Sequence, residues 1–408
     1  MKRDILFLCQ FTYPEYVSSA VLPFDTAKYL AANGFTVGVL SGYPKEYSRE
    51  KSAPVRETVE GVDIRRIRYI QMARGKRLGR LINYFSFTIS ALFHLPLIRK
   101  YKSIIVYSNP PVLPVIAILS NILFGTRIIF VAYDVYPEIA YASNSIKPGD
   151  RIDRVMQWIN HKLYKRVFRV VALTDEMKLF IAKNRPEISL DKIVTIANWA
   201  HENVREASPD AYKRFGYSQD QFIVSYFGNM GICQDMETLI DAAEQLKDHP
   251  KIRFLIVGHG SKKEYVEHMI REKSLCNVQL LGFLTGDVFE QAVAVSSCCV
   301  VSLEKGLVGT SAPSKYYSYL QGGKPVIAIV EAGSFLHHEI EREQIGYTVS
   351  IGDSKLLSDY VMSLSEDPVK VNEMGTRARE LYNRFYTMQI GLSKYHDVFC
   401  KVLECAHE

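Results

Sequence analysis

A chain of 408 residues with 48% hydrophobic and 23% charged residues is composed like a soluble globular protein and is long enough for two domains, each with its own core. Disorder and fibrous repeats are excluded by that balance, and seven scattered cysteines without a CxxC pair exclude a disulfide scaffold and read as reduced, buried thiols. The net charge of +6 hides an asymmetry: 29 basic and 16 acidic residues up to residue 200, then 21 and 28 beyond it, which points to an anionic partner for the first half.

The chain opens with a buried-strand run, DILFLCQF (4–11). A Tyr-Pro-Glu loop follows, then a helix through LPFDTAKYLAANG closed by Gly34, then the strand TVGVLSGYP. This is a βαβ unit. Strands are expected at 64–70, 102–108, 127–135 and 169–174, with helices between them. The pattern resets after a polar linker near 198–220. Strands at 222–230, 252–260, 277–283, 298–303 and 324–330 then alternate with helices at 236–248, 262–274, 287–296 and 314–323. Residues 371–404 read as helical. Strands alternating with helices imply parallel sheets covered on both faces. The expected architecture is α/β, two Rossmann-like doubly wound domains facing a cleft. Residues 1–200 form one, 201–380 the other, and 381–408 a helix crossing back to the first.

From Asp63 to Asp134 there is no carboxylate, but there are eleven Lys and Arg residues. Arg74, Lys76, Arg77 and Arg80 precede the apolar stretch 82–98, and Arg99, Lys100 and Lys102 follow it. Basic charge around an apolar stripe suits an anionic membrane surface. Tyr84, Phe85, Phe87 and Phe93 are the expected lipid contacts. No stretch reads as a transmembrane helix: 82–98 is too short, and prolines break 103–124. Residues 5–11 are too short for a secretory signal. No zinc finger, helix-turn-helix or RNA-binding signature accompanies the charge, so no nucleic-acid partner is expected.

The strongest local motif is Gly309-Thr-Ser-Ala-Pro-Ser314-Lys315 leading into a helix. Backbone NH groups, small residues, hydroxyls and a lysine at such a point make a phosphate cradle, although an ordinary capped helix uses many of the same residues. Pro313 suits the turn, and Ser314 suits the N-cap. Glycine turns close three successive strands, at Gly228-Asn229, at Gly258-His259-Gly260 and at Leu281-Gly282-Phe283. Ligands of open α/β sheets sit at such strand ends. Asp134 ends an apolar strand, where burial would raise its pKa, and Glu138 lies one turn on. His161 and His259 have no placed partner and read as structural.

These pieces, in order, resemble a GT-B-fold glycosyltransferase of family 4: the YPE loop, Asp134-Val-Tyr-Pro-Glu138, LTDEM (173–177), ANW (197–199), YFGNMG (226–231), IVGHG (256–260), LLGF (280–283) and S-x-PSKYYSYLQGGKPVIA (311–328). The chain is most similar to bacterial O-antigen and capsule sugar transferases of the L-fucosamine transferase type. The resemblance implies a retaining, metal-independent transferase with no cofactor, the nucleotide sugar being a substrate. UDP is the expected nucleotide. The donor diphosphate would meet Gly228, Asn229, Gly258 and the run Ser311, Ala312, Pro313, Ser314 and Lys315, with Ser318 nearby and the base near Leu281, Gly282 and Phe283. Asp134, Glu138 and Lys315 would be catalytic. A polyprenyl-diphosphate-linked glycan would be the acceptor, on a protein peripheral to the cytoplasmic face of the cell membrane.

The departures are specific. The two family glutamates around the phosphate loop fall at Thr310 and Ser318, and the usual Arg and Lys after the first strand of the second domain at Asn229 and Gln234. Lys315 is then the expected cation for the leaving diphosphate. The usual histidine falls at Ser108-Asn109, and the double-glycine loop reads Ser18-Ser19; these four are the acceptor-binding candidates. A non-catalytic scaffold anchoring a partner enzyme and a nucleotide-sugar epimerase of the same fold are the alternatives.

Overall fold

The computed structural model describes residues 2–44, 53–72, 77–142, 145–201 and 206–404. They form two α/β units. Unit 1 comprises Met1–Asn198, Gly309–Ala312 and Gln389–Glu408, and unit 2 comprises Trp199–Val308 and Pro313–Met388.

Unit 1 runs β1 (Arg3–Leu8), α1 (Ser18–Ala32), β2 (Val37–Gly42), β3 (Arg56–Val59), β4 (Val62–Ile67), α2 (Arg77–Leu92), α3 (Leu95–Ile98), β5 (Tyr101–Tyr107), α4 (Pro114–Phe124), β6 (Arg127–Ala132), α5 (Glu138–Ala142), α6 (Arg151–Tyr164), β7 (Val167–Ala172), α7 (Asp175–Asn184) and β8 (Ile193–Thr195). Its sheet order is β3-β4-β2-β1-β5-β6-β7-β8. All neighbours pair in parallel except β3 and β4. The sequence suggests one strand over 64–70; the structure makes an antiparallel hairpin instead, turned by Glu60 and Gly61, both at positive φ. Right-handed crossovers send the helices that follow β4, β5, β6 and β7 to one face. There Phe87 and Ala91, Ile116 and Ala117, Ile159 and Leu163, and Met177 and Ile181 share a core with the alternate strand residues Leu6, Leu8, Ile104, Val106, Ile128 and Phe130.

Unit 2 runs α8 (Pro209–Phe215), β9 (Phe222–Asn229), α9 (Glu237–Gln245), β10 (Ile252–His259), α10 (Lys263–Glu272), β11 (Val278–Leu281), α11 (Asp287–Val295), β12 (Cys298–Ser302), α12 (Lys315–Gln321), β13 (Val326–Ile329), α13 (Phe335–Glu343), β14 (Gly346–Val349), α14 (Ser354–Glu366) and α15 (Pro368–Phe385). Its six strands are all parallel, ordered β11-β10-β9-β12-β13-β14. The helical stretch expected over 371–404 is two helices, α15 and α16 (Met388–Glu404). Tyr386, at the break, donates its hydroxyl to buried Glu339, which also accepts from Tyr316 at 2.6 Å. α16 packs on the other face of the unit 1 sheet, with Phe399 beside Phe7.

In each unit the chain reverses its direction across the sheet beside its first strand, between β1 and β5 and between β9 and β12. Loops diverging from the carboxyl ends of such a strand pair leave a crevice for a ligand.

One expectation for the apolar stretch is corrected. Phe87 is fully buried: helical period places it with Asn83 and Ala91 against the sheet, not toward lipid. Phe85 and Phe93 are exposed and Tyr84 is half-buried. Arg80 is exposed. Arg74 and Lys76, with the side chain of Arg77, lie outside the described residues. Among the described residues no helix is long and apolar enough to cross a membrane.

Candidate active site

In unit 2 the glycine turns meet because β9 and β10 pair in register to their ends, Gly258 opposite Gly228 and His259 opposite Asn229. Gly258 has φ +155°, and a Cβ there would lie 1.8 Å from the Gly228 carbonyl oxygen. Only glycine allows this approach. The turns are then tied together: Met230 N donates to His259 O at 2.6 Å, Lys262 N to Met230 O at 2.8 Å, and Tyr226 Oη to Asn229 O at 2.7 Å. The result is a rigid ledge of backbone with Asn229 and His259 exposed on it. Phe283, also exposed, meets the His259 ring edge-on at 5.3 Å. The Leu281-Gly282-Phe283 turn therefore adjoins the ledge, as the sequence suggests.

Across the reversal, Lys315 begins α12, and its Nζ lies 4.1 Å from the centre of the Phe289 ring. Phe289 packs edge-on against Phe227 at 5.3 Å. The Tyr319 hydroxyl holds Phe227 by accepting from its N–H at 3.0 Å and donating to its carbonyl at 3.1 Å. Phe227 immediately precedes Gly228, so the stack Lys315–Phe289–Phe227 ties the cation to the strand that ends in the ledge. Ser314 does not cap as expected: its backbone is already helical and its side chain makes no capping bond. Pro313 and Ser314 are half-buried, and Ser318 is buried with a hydroxyl where a carboxylate was looked for.

Lys262 belongs to no sequence motif but is tied into unit 2 by its charge. Its ammonium reaches Gln234 O at 2.7 Å, Glu237 at 2.9 Å and Glu304 at 2.8 Å; burial lowers its pKa, but the Glu304 and Glu237 carboxylates outweigh it and hold the pKa above the usual lysine value. Asp235, Glu237 and Glu304 are close enough together to hold a metal ion. Lys262 already supplies a countercharge to two of them, and Asp235 is spent on the first turn of α9 through Thr238 N at 3.1 Å.

In unit 1 the loops after β1, β5 and β6 each carry a cis proline bond, at Tyr13-Pro14, Asn109-Pro110 and Tyr136-Pro137. Ser108 Oγ accepts from Asp134 N at 3.0 Å, which joins two of them. Segment Gly309–Ala312 packs here: Val135 N donates to Thr310 O at 2.8 Å, Asp134 bridges to Ser311, and Gly309 N donates to Glu176 at 2.9 Å. Half-buried Ser311 and Ala312 are thus fastened to the strand end that carries Asp134. Burial alone pushes the Asp134 carboxyl up to about 6. Glu138 is held differently. Both of its oxygens lie 2.7 Å from Arg185, which is itself buried and also donates to Tyr136 O. The pair locks the 134–138 loop. Glu176, inside LTDEM, and Arg185 were not singled out by the sequence, because only folding shows what they hold.

At the β1/β5 reversal, Ser18 and Ser19 occupy the first turn of the 15-residue α1, whose N-cap Val17 makes no side-chain capping bond; the start of a helix is where an anion is favoured. Thr12 Oγ1 and Asn109 Oδ1 are buried in the loops that follow these adjacent strands, with no hydrogen-bond partner among the described residues. Thr12 carries no motif signal; its burial in the loop after β1 is what marks it.

Comparison with known proteins agrees with this geometry. Residues 210–381 match the family described as glycosyl transferases group 1. The probable glycosyltransferase WbjE of Pseudomonas aeruginosa is 23% identical over 331 residues, 79% of each chain. The putative colanic acid biosynthesis glycosyl transferase WcaI of Escherichia coli K12 is 24% identical over 342 residues, 78% of this chain and 81% of that one. The structure of Anabaena Alr3699/HepE in complex with UDP and glucose superposes with a TM-score of 0.69 at 16% identity, covering 99% of this chain and 100% of that chain. Residues 210–381 thus form a glycosyl transferases group 1 domain, and the chain folds as two Rossmann-like units, as its GT-B glycosyltransferase structural neighbours do.

Proposed function

We propose that this enzyme moves a sugar, with retention of configuration, from a UDP-sugar to a polyprenyl-diphosphate-linked glycan in bacterial surface polysaccharide synthesis. It would work at the cytoplasmic face of the membrane. The observation that carries the reading is the stack that links Lys315 through Phe289 to Phe227, the residue before the ledge glycine Gly228. Transfer breaks the bond between the anomeric carbon and a diphosphate oxygen, and the bonding pair leaves with UDP. The same carbon bonds to an acceptor hydroxyl oxygen, and the hydroxyl proton passes to the leaving phosphate. Lys315 and the ledge NH groups would meet the charge that builds on that phosphate. Asp134 would orient the acceptor, with Thr12, Ser18, Ser19 and Asn109 binding its hydroxyls or phosphate. UDP in the HepE complex and the colanic acid role in WcaI's name support the donor and the pathway.

The membrane part rests on α2. Its outward face is Leu78, Leu81, Phe85, Ile89 and Leu92, all exposed, opposite Asn83, Phe87 and Ala91. A helix with an apolar side toward solvent fits an interface, and the run without carboxylates from Asp63 to Asp134 fits an anionic one.

Thermal stabilisation by UDP-, GDP-, dTDP- and CMP-sugars tests the donor, because a ligand of the folded state raises Tm. A rise with UDP-sugars that Lys315→Ala abolishes is expected. The variant should also lose about 10²–10³-fold in kcat. No rise with any nucleotide, in folded protein, would sink the reading and favour the scaffold alternative, for which the missing carboxylate at Ser318 speaks.

A further inference from the structure

A second apolar surface lies on the same helical layer as α2. The α4 helix packs against both α2 and α6, and all three feed one core on one face of the unit 1 sheet. Their remaining sides therefore turn outward together. On α6, Met156, Ile159 and Leu163 face the core, while Ile152, Val155 and Trp158 follow one another at three-residue spacing on exposed positions. Trp158 is 58% exposed. Ile122 and Leu123, at the end of α4, are exposed as well. Isolated apolar residues on a surface are ordinary, but rows on adjoining helices mark an interaction face.

Charge says what covers it. Lys147, Arg151, Arg154 and Lys165 are exposed around the α6 row. The acids of this region are engaged by their own chain. Asp153 is buried, accepting from the Tyr141 hydroxyl and from Gly149 N at 2.7 Å, and Asp150 accepts from Lys147 N at 3.1 Å. A tryptophan and branched aliphatics flanked by arginines suit the headgroup region of an anionic bilayer, where the ring has one apolar and one wet side.

We propose that the Ile152–Val155–Trp158 row of α6, with Ile122 and Leu123, is a second lipid-inserting element, and that it sits on the same membrane as α2. The inference rests on the membrane part of the function proposed above and extends it: docking uses two helices across one layer, which fixes the orientation of unit 1 on the bilayer, where a single helix would leave it free to roll.

The full chain has two tryptophans. Trp199 is buried and Trp158 is exposed, so Trp158 reports on its own contact with lipid. The test mixes the protein with phosphatidylcholine vesicles, with and without phosphatidylglycerol, and with brominated acyl chains. Sedimentation and tryptophan emission are read together. The expected result is a blue shift and bromine quenching on phosphatidylglycerol vesicles, both absent in Trp158→Phe. Val155→Glu should weaken vesicle binding about tenfold, about 1.4 kcal/mol. Sedimentation with unshifted, unquenched emission would overturn the proposal and leave α2 as the docking helix. Equal binding to vesicles without phosphatidylglycerol would overturn its anionic basis. A blue shift that grows with protein concentration in the absence of lipid would assign the face to a second copy. No binding would end both docking surfaces. Sugar transfer to a soluble acceptor analogue, measured in parallel, reports separately on the transferase reading.

Discussion

The hydroxyl of Tyr319 makes two hydrogen bonds to one residue, accepting from the N–H of Phe227 at 3.0 Å and donating to its carbonyl at 3.1 Å. Pairing of β12 with β9 stops one residue earlier, at Val300 opposite Tyr226. The side chain therefore takes over the ladder where the strand ends, and it ties α12 to the backbone that becomes the glycine ledge. Tyr319→Phe leaves a buried N–H and C=O unpaired and should cost about 1–3 kcal/mol. Chemical denaturation should show that loss, and UDP-sugar affinity should fall with it; unchanged stability would mean that the ladder is satisfied in another way.

Asp134 should make both stability and turnover depend on pH. Burial pushes its folded pKa up to about 6 from the usual aspartate value of 3.8. Between these values the folded state holds a proton that the unfolded state has released, so stability falls as pH rises through this window and stays lower above it. Asp134→Asn removes the burial of charge. The variant should melt higher than wild type at pH 8, and the gap should close by about pH 4. If ionised Asp134 orients the acceptor, wild-type kcat rises through about pH 6 and the variant's profile is flat there. A wild-type limb that survives in Asp134→Asn would assign the titration to another group.

Gly258→Ala tests the ledge. The new Cβ would fall 1.8 Å from the Gly228 carbonyl oxygen, at φ +155°. Backbone strain and displacement together should cost about 3 kcal/mol or more. Gly282, by contrast, has nothing within 4 Å of its would-be Cβ, so Gly282→Ala should change stability by less than about 0.5 kcal/mol. Melting temperatures of the two variants decide whether crowding at Gly258 is real.

Glu138→Gln separates holding from chemistry. The carboxylate accepts two bonds from buried Arg185, and removing one partner of a buried pair costs about 3–5 kcal/mol. The variant should melt early yet keep most of its kcat when assayed well below its Tm. A well-folded variant with kcat reduced a hundredfold would place Glu138 in the reaction.

The glycine turns at 228 and 258 and the lead into α12 were legible because each has a recognisable requirement: a φ, a missing Cβ, a helix start. The apolar stripe over 82–98 was also legible, though it was read as a stripe without a phase. Phe85 and Phe87 look alike in one dimension, and only the packing of α2 on the sheet buries one and exposes the other. Ser314 has the residue type of a cap, but its backbone enters the helix one residue early. Lys262 gave no signal because its partners come from two stretches of chain distant from it, 234–237 and 304.

By itself, then, the sequence determined the alternation of strands and helices, the positions of the tight turns, the charge asymmetry and the cation at the start of α12, since these depend on residues within a few positions of one another. The tertiary structure alone decided the strand order with its two reversals and the pairing of Tyr319 with Phe227 and of Glu138 with Arg185. It also placed Gly309–Ala312 beside Asp134. Such contacts join groups tens of residues or more apart, and their geometry follows from how whole layers pack, for which no local pattern carries the information.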